Sequence, residues 1–323
     1  MKSRVVGLVA DVGGTNARFA LVDEAGHIRF PRSFLCREYD SLAAIIEEYL
    51  TTTAGKTRPP RAAIAVAGPV VDGEIEFTNL DWRVSEVELL AAFELEAVSL
   101  INDFAAQALA APRLDPEDLR TIGPKIRGAE FGPIVVLGAG SGFGVAGMAR
   151  SERGDIAIAT EGGHAGFAPY DDLEAEVWKR LHAKRGRVSI ERLLSGPGMY
   201  ELYVSLCEIG GHTRELADEK AVLEAASAGD TVAAATVDRF CAIFGSVAGD
   251  FALAYGARGG VYISGGIAPR MIERLTGGSF RSRFEDKGRL SDYVRDIPTL
   301  LIAHPYPALV GAARQLAQME RLR

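Results

Sequence analysis

Five short stretches hold residues whose types and spacing suit chemistry on a phosphorylated ligand and a polyol. The first is Ala10-Asp11-Val12-Gly13-Gly14-Thr15-Asn16. Bare turn glycines let successive backbone N–H groups point at one anion, and Thr15 and Asn16 add side-chain donors. Asp11, closing an apolar run, could hold a hydrated Mg²⁺ beside the phosphates. A plain hairpin with an Asn/Gly turn accounts for the same residues about as well. The second stretch is Gly138-Ala139-Gly140-Ser141-Gly142-Phe143-Gly144. Counted from Gly142, a G-x-G-x-x-G spacing is met at Gly144 and Gly147. A dinucleotide loop must open a helix, however, and residues 145–150 read as strand. A nicotinamide dehydrogenase is therefore disfavoured, and two phosphate-facing turns fit a triphosphate better.

The third stretch is Asn102-Asp103, at the C-terminal end of a strand, the end that opens on the ligand crevice in α/β sheets. A carboxylate there could take a proton from a hydroxyl while the amide orients it. Taken alone, Asp103 capping the helix that follows is the better explanation. The fourth is Glu161-Gly162-Gly163-His164 with Glu191 beyond it. Two carboxylates and an imidazole together offer the acceptors and the donor that several sugar hydroxyls need. Metal binding is disfavoured, since no cysteine or second histidine lies near. His27, His182, His212 and His304 sit in no acid-rich motif and read as structural. The fifth is Ser264-Gly265-Gly266-Ile267, where glycines could let an adenine or ribose lie against the backbone; a tight turn explains them equally well.

The elements that must position these groups follow from periodicity. Residues 5–11 and 17–23 read as a strand pair around the first turn. Residues 62–67, 98–101, 134–137, 145–150 and 261–264 read as further strands. Helices are expected over 41–50, over 104–111, over 171–185 with Leu173, Val177, Trp178 and Leu181 inward, over 233–255 and over 308–322. Ser85-Glu86-Val87-Glu88 has the pattern of a capping box opening a helix through Leu95. The Pro-rich, charged segment 112–133 reads as a crossing between domains. The segments around Asp11 and Gly138 repeat strand, glycine turn, strand, which implies two duplicated α/β halves.

Composition narrows the class. Lys and Arg total 36 against 43 Asp and Glu, a net charge of −7, which disfavours nucleic acid or an anionic membrane as partner. Glycine, at 36 of 323 residues, exceeds the usual ~7% and asks where backbone must turn or approach a ligand. Cys36, Cys207 and Cys241 are odd in number and form no C-x-x-C pair, which suits reduced thiols in the cytoplasm. The apolar run 5–10 is too short for a signal peptide, and the longest uncharged stretch, 131–149, is too rich in glycine for a membrane helix.

Taken together, DVGGTNARFALVD, INDFAAQALA, GAGSGFGVA, TEGGHAGFAP, ERLLSGPG, FEDKGR and ISGGIAPR resemble the bacterial glucokinases, in that family's order and over nearly the whole chain. The resemblance implies an α/β, two-domain actin-like ATPase fold of the hexokinase and ribonuclease H type, with a central cleft. The smaller domain would comprise 1–112 plus 305–323 and the larger 113–304. It implies transfer of the γ-phosphoryl of ATP to the 6-hydroxyl of glucose, with Mg²⁺. Asp103 would be the catalytic base, and Asn102, Glu161, His164 and Glu191 would hold the other hydroxyls. The first phosphate loop would be 10–16, the second would include Gly138, Gly140, Ser141 and Gly142, and Gly265 and Gly266 would lie by the adenosine. The family often carries Asp or Asn near Gly166, where this chain departs. No zinc is expected, because the cysteine cluster of the related repressor and sugar-kinase group is absent. No DNA-binding helix-turn-helix is read ahead of residue 1, so a transcriptional regulator is disfavoured. The resemblance also admits a homodimer, and closure of the domains on sugar is expected from the chemistry. A kinase of another hexose on this fold and a catalytically silent sugar sensor stay open as alternatives.

Overall fold

The computed structural model describes residues 4–54, 58–77, 80–152 and 154–321. By packing, the chain forms two compact units: Met1–Leu114 with Asp155–Ala159 and His304–Arg323, and Asp115–Gly154 with Thr160–Ala303. The expected division gave 155–159 to the larger domain. These residues instead group with the first unit, where the Asp155 carbonyl accepts from Gln318 Nε2 at 3.1 Å and its carboxylate faces Arg113 at 3.8 Å.

In the first unit, β1 (Val5–Val12), β2 (Asn16–Asp23), β3 (Ile28–Leu35), β4 (Arg61–Val66) and β7 (Ala97–Asn102) form one sheet in the order β3-β2-β1-β4-β7. β5 (Glu74–Glu76) and β6 (Arg83–Ser85) form a separate ribbon. β1 runs antiparallel to β2 and parallel to β4, as β4 does to β7. The near-continuous apolar run in β1 is explained by cover on both faces, as buried parallel strands require. Leu8, Ala10 and Val12 join one core with Ile45, Ile46 and Tyr49 of α1 (Leu42–Tyr49). Val9 and Ala63 face Leu309, Ala312 and Leu316 of the C-terminal helix Pro307–Arg321. The expected capping box does not form. Ser85 ends β6 without a side-chain bond to α2 (Glu86–Ala92), and Glu86 Oε1 instead accepts from Leu100 N at 2.6 Å. α3 (Asp103–Ala110) follows β7 directly.

The segment expected as a crossing contributes to the second sheet through β8 (Leu119–Thr121). With β9 (Ile134–Ala139), β10 (Phe143–Ser151), β11 (Gly154–Thr160), β12 (Gly260–Ser264) and β13 (Thr299–Ile302), the order is β11-β10-β9-β12-β13-β8. An antiparallel hairpin β9-β10 followed outward by parallel β12 and β13 repeats the arrangement of β1-β2 with β4 and β7. The helices are α4 (Asp172–Arg185), α5 (Gly196–Gly210), α6 (Glu219–Ser227), α7 (Thr231–Tyr255), α8 (Ile272–Gly277), α9 (Phe280–Glu285) and α10 (Ser291–Arg295).

α7 runs through this core, its Phe244 ring edge-on to Phe143 at 5.5 Å and to Phe280 at 5.8 Å. Among the described residues it alone is long and apolar enough to cross a bilayer, and it is mostly buried in protein. On α4, Val177 and Leu181 point inward as expected, whereas Leu173 and Trp178 are half-buried and Glu174 is buried. Burying that acid is possible because Arg239 Nη1 and Arg283 Nη2 both meet its Oε1 at 3.0 Å.

Candidate active site

The first glycine turn is the β1-β2 connection. Its frame is the Gly13 N–H donated to Asn16 O at 2.9 Å. Hairpin register sets Asp11 directly across from Arg18, whose Nη1 lies 3.3 Å from Asp11 Oδ2. Burial pushes the Asp11 carboxyl above the usual carboxylate range, and Arg18 only partly offsets this. A desolvated carboxylate of this kind gains from a cation arriving with a triphosphate, which fits hydrated Mg²⁺. Among the described residues no three His, Cys, Asp or Glu side chains group as a metal cluster.

Two residues at this turn were not among those expected from sequence. Arg18 was legible, since accepting a turn at 13–16 already places it opposite Asp11. Cys36 was not. Its N–H donates to Thr15 O at 2.9 Å and its buried thiol donates to Gly13 O at 3.4 Å, so it braces the turn from beneath.

Asn102 and Asp103 stand where β7 becomes α3. Asn102, not Asp103, is the helix cap: its Oδ1 accepts from Phe104 N at 3.0 Å and Ala105 N at 3.1 Å, and its Nδ2 donates to Gly68 O at 3.2 Å. Asp103 is the first helical residue, half-buried, with Oδ1 accepting from Phe104 N at 2.9 Å. Both side chains therefore meet the Phe104 N–H at the helix start, and Asn102 alone reaches Ala105 N.

In the second unit, the β9-β10 connection carries Gly140, Ser141 and Gly142, closed by Gly140 N–H donating to Gly142 O at 2.8 Å. A Cβ at Gly140 would meet nothing within 4 Å. The fold itself does not demand glycine there, whereas a ligand against the backbone would. At Gly265, φ is +86° and a Cβ would lie 2.3 Å from Ala139 O. Gly265 and Gly266 therefore adjoin the second turn, with Ser264 paired to Gly138.

Glu161 and His164 occupy one exposed helical turn, with Glu161 Oε2 4.0 Å from His164 Nε2. Glu191, half-buried, sits on the short turn Ile190–Arg192, and its Oε2 accepts from Phe143 N at 2.9 Å. This brings Glu191 to the second glycine turn as well as to the Glu161 segment, whose Ala165 carbonyl accepts from Ile190 N at 2.9 Å.

The glucokinase family model matches residues 8–319. A glucokinase of Caulobacter sp. (strain K31) is 52% identical over 95% of this chain and 94% of its own length. The crystal structure of a glucokinase from an Antarctic psychrotroph superposes with a TM-score of 0.88 at 39% identity, covering 97% of this chain and 98% of that one.

The chain belongs to the glucokinase family.

It has that family's actin-like ATPase fold, shared more distantly with a ROK family glucokinase from Streptomyces griseus solved with glucose and AMPPNP. That structure superposes with a TM-score of 0.63 at 19% identity, over 97% of this chain and 99% of that one. As a glucokinase, the enzyme transfers the γ-phosphoryl of ATP to the 6-hydroxyl of glucose.

Proposed function

We propose that Asp103 is the catalytic base of this glucokinase and that Asn102, Glu161, His164 and Glu191 hold the remaining sugar hydroxyls. The observation that carries this reading is the placement of Asn102 and Asp103 where β7 ends and α3 begins, the strand end that opens on the ligand crevice in α/β sheets. The Asp103 carboxylate takes the proton of the 6-hydroxyl as that oxygen attacks the γ-phosphorus in line, and ADP leaves. Backbone and side-chain groups of Gly13, Gly14, Thr15 and Asn16 on the first turn, and of Gly138, Gly140, Ser141 and Gly142 on the second, hold the phosphates. Gly265 and Gly266 lie against the adenosine. A magnesium ion held through water by Asp11 supplies positive charge to the phosphates.

The net charge of −7 and the three free, buried cysteines support a cytoplasmic enzyme with glucose and ATP as its partners rather than nucleic acid or membrane. A homodimer, suggested only by the family, would show twice the chain mass in light scattering.

The test is ATP- and Mg²⁺-dependent phosphorylation of a hexose panel by wild type and Asp103→Asn. Glucose is expected as the preferred acceptor. In the variant kcat should fall by about 10²–10⁴ while glucose still binds. Retained turnover in Asp103→Asn overturns the base, and preference for another hexose overturns the substrate.

A further inference from the structure

Segment 188–196 is bonded at both ends to parts of the site that have different ligands under the reading above. Towards the sugar side, Phe167 N–H donates to Val188 O at 3.1 Å, Ile190 N–H donates to Ala165 O at 2.9 Å, and Gly166 bridges to Ser189. Towards the second phosphate turn, Gly196 N–H donates to Gly140 O at 2.8 Å. Between these anchors, Ser195 Oγ donates to Glu191 O at 2.8 Å and fixes the backbone that carries the Glu191 side chain.

The Glu191 carboxylate is itself the middle of this strut. Its Oε2 accepts the N–H of Phe143, the residue that closes the second glycine turn. It also packs on Gly142, where a Cβ would come within 2.6 Å of the same oxygen. The Phe143 carbonyl is closely packed as well, since a Cβ at Gly163 would fall 2.0 Å from Phe143 O. A carboxylate offers about four lone-pair sites, and the Phe143 N–H takes one, leaving acceptor capacity for hydroxyls.

We infer that Glu191 is a positioning residue for the second phosphate turn as well as a sugar ligand, so that a single carboxylate couples glucose binding to ATP binding. The inference rests on the proposed assignment of Glu191 to the sugar and of 138–142 to the phosphates. A hydroxyl bonded to Glu191 fixes the rotamer that holds Phe143 N–H, and thereby the turn. A triphosphate that orders the turn fixes the carboxylate for the sugar. Linkage requires the same factor in both directions, and couplings of this kind are about 5- to 150-fold.

Calorimetric titrations of glucose with and without Mg²⁺-AMPPNP, and of Mg²⁺-AMPPNP with and without glucose, measure that factor directly. His164→Ala is expected to weaken glucose while leaving the nucleotide Kd without sugar, and the coupling factor, at their wild-type values. Glu191→Ala is expected to weaken glucose, to raise the nucleotide Kd at least fivefold with no sugar present, and to bring the coupling factor towards one. Glu191→Gln keeps an acceptor for Phe143 N–H, so its nucleotide Kd without sugar should return to near wild type although glucose stays weakened. Gly142→Ala should weaken glucose with no nucleotide present, because the added methyl displaces the carboxylate. If Glu191→Ala weakens glucose but leaves nucleotide binding and coupling as in His164→Ala, the coupling role is overturned and the sugar assignment stands. If it leaves glucose binding unchanged, the sugar assignment falls, and the inference with it.

Discussion

Asp11 is placed against its own interest. Its neighbours desolvate the carboxylate and raise its pKa, while Arg18 opposes the shift without cancelling it. An acid whose folded pKa lies above its unfolded one is most favourable below the ordinary carboxylate range. Its contribution to stability is lost as pH rises through the raised value and stays lost above it. Asp11→Asn is therefore expected to melt higher than wild type at pH 7, with the gap vanishing in acid, as thermal scans across pH would show. The same variant should lose most Mg²⁺-dependent turnover, and in wild type Mg²⁺-nucleotide binding should strengthen as pH rises through that titration. Cys36 allows a finer test. Its thiol bond to Gly13 O is worth about 0.5 kcal/mol, the low end for a net hydrogen bond, so Cys36→Ala should raise the KM for ATP about two- to threefold. Cys36→Ser should restore it, with the KM for glucose little moved by either.

At the scale of elements, the start of α4 is held to α7 and α9 by one acid. Glu174 receives Arg239 and Arg283 on one oxygen and the Tyr170 N–H on the other, at 3.0 Å in each case. Arg283 also lies over the Tyr170 ring at 3.7 Å. Removing one member of a buried ion pair strands its partners. Glu174→Ala should cost about 3 kcal/mol in urea unfolding, the low end of that range because Asp171 still pairs with Arg239. None of this was legible from periodicity, which put Leu173 inward in the acid's place. The glycine turns and the strands of their hairpins were legible because each is a local pattern of apolar run, turn residues and apolar run. β3 and β11 were not, since both are edge strands, β3 mostly exposed and β11 with no fully buried residue, and therefore lack a buried alternation. α5 begins Gly-Pro-Gly, which reads as a turn until Ser195 is seen to cap it through Gly198 N. At the site, Asn102 and Asp103 were legible as a pair. Which of them caps the helix was decided only by side-chain geometry.

For the whole molecule, glucose is expected to reduce the radius of gyration, because a kinase that excludes water until its acceptor arrives must close on it. Small-angle scattering checks this, and an unchanged radius with saturating glucose removes closure from the mechanism. The repeated strand order gives each unit its own hydrophobic core, and in the second unit that core is organised on α7. Its cover comes late in the chain: Gly245 and Gly249 leave room for the carbonyls of Phe280 and Phe284, where a Cβ would stand 2.0 Å and 2.4 Å away. During synthesis, α7 leaves the ribosome before α9 has followed it out. For that interval a nascent chain exposes the apolar faces of a 25-residue helix whose place in the finished protein is mostly buried. A chain ending at Tyr255 is expected to aggregate in a cell-free translation, and the full chain to remain in the supernatant. The helix at the centre of the larger core is thus also a stretch that a growing chain must for a time leave uncovered.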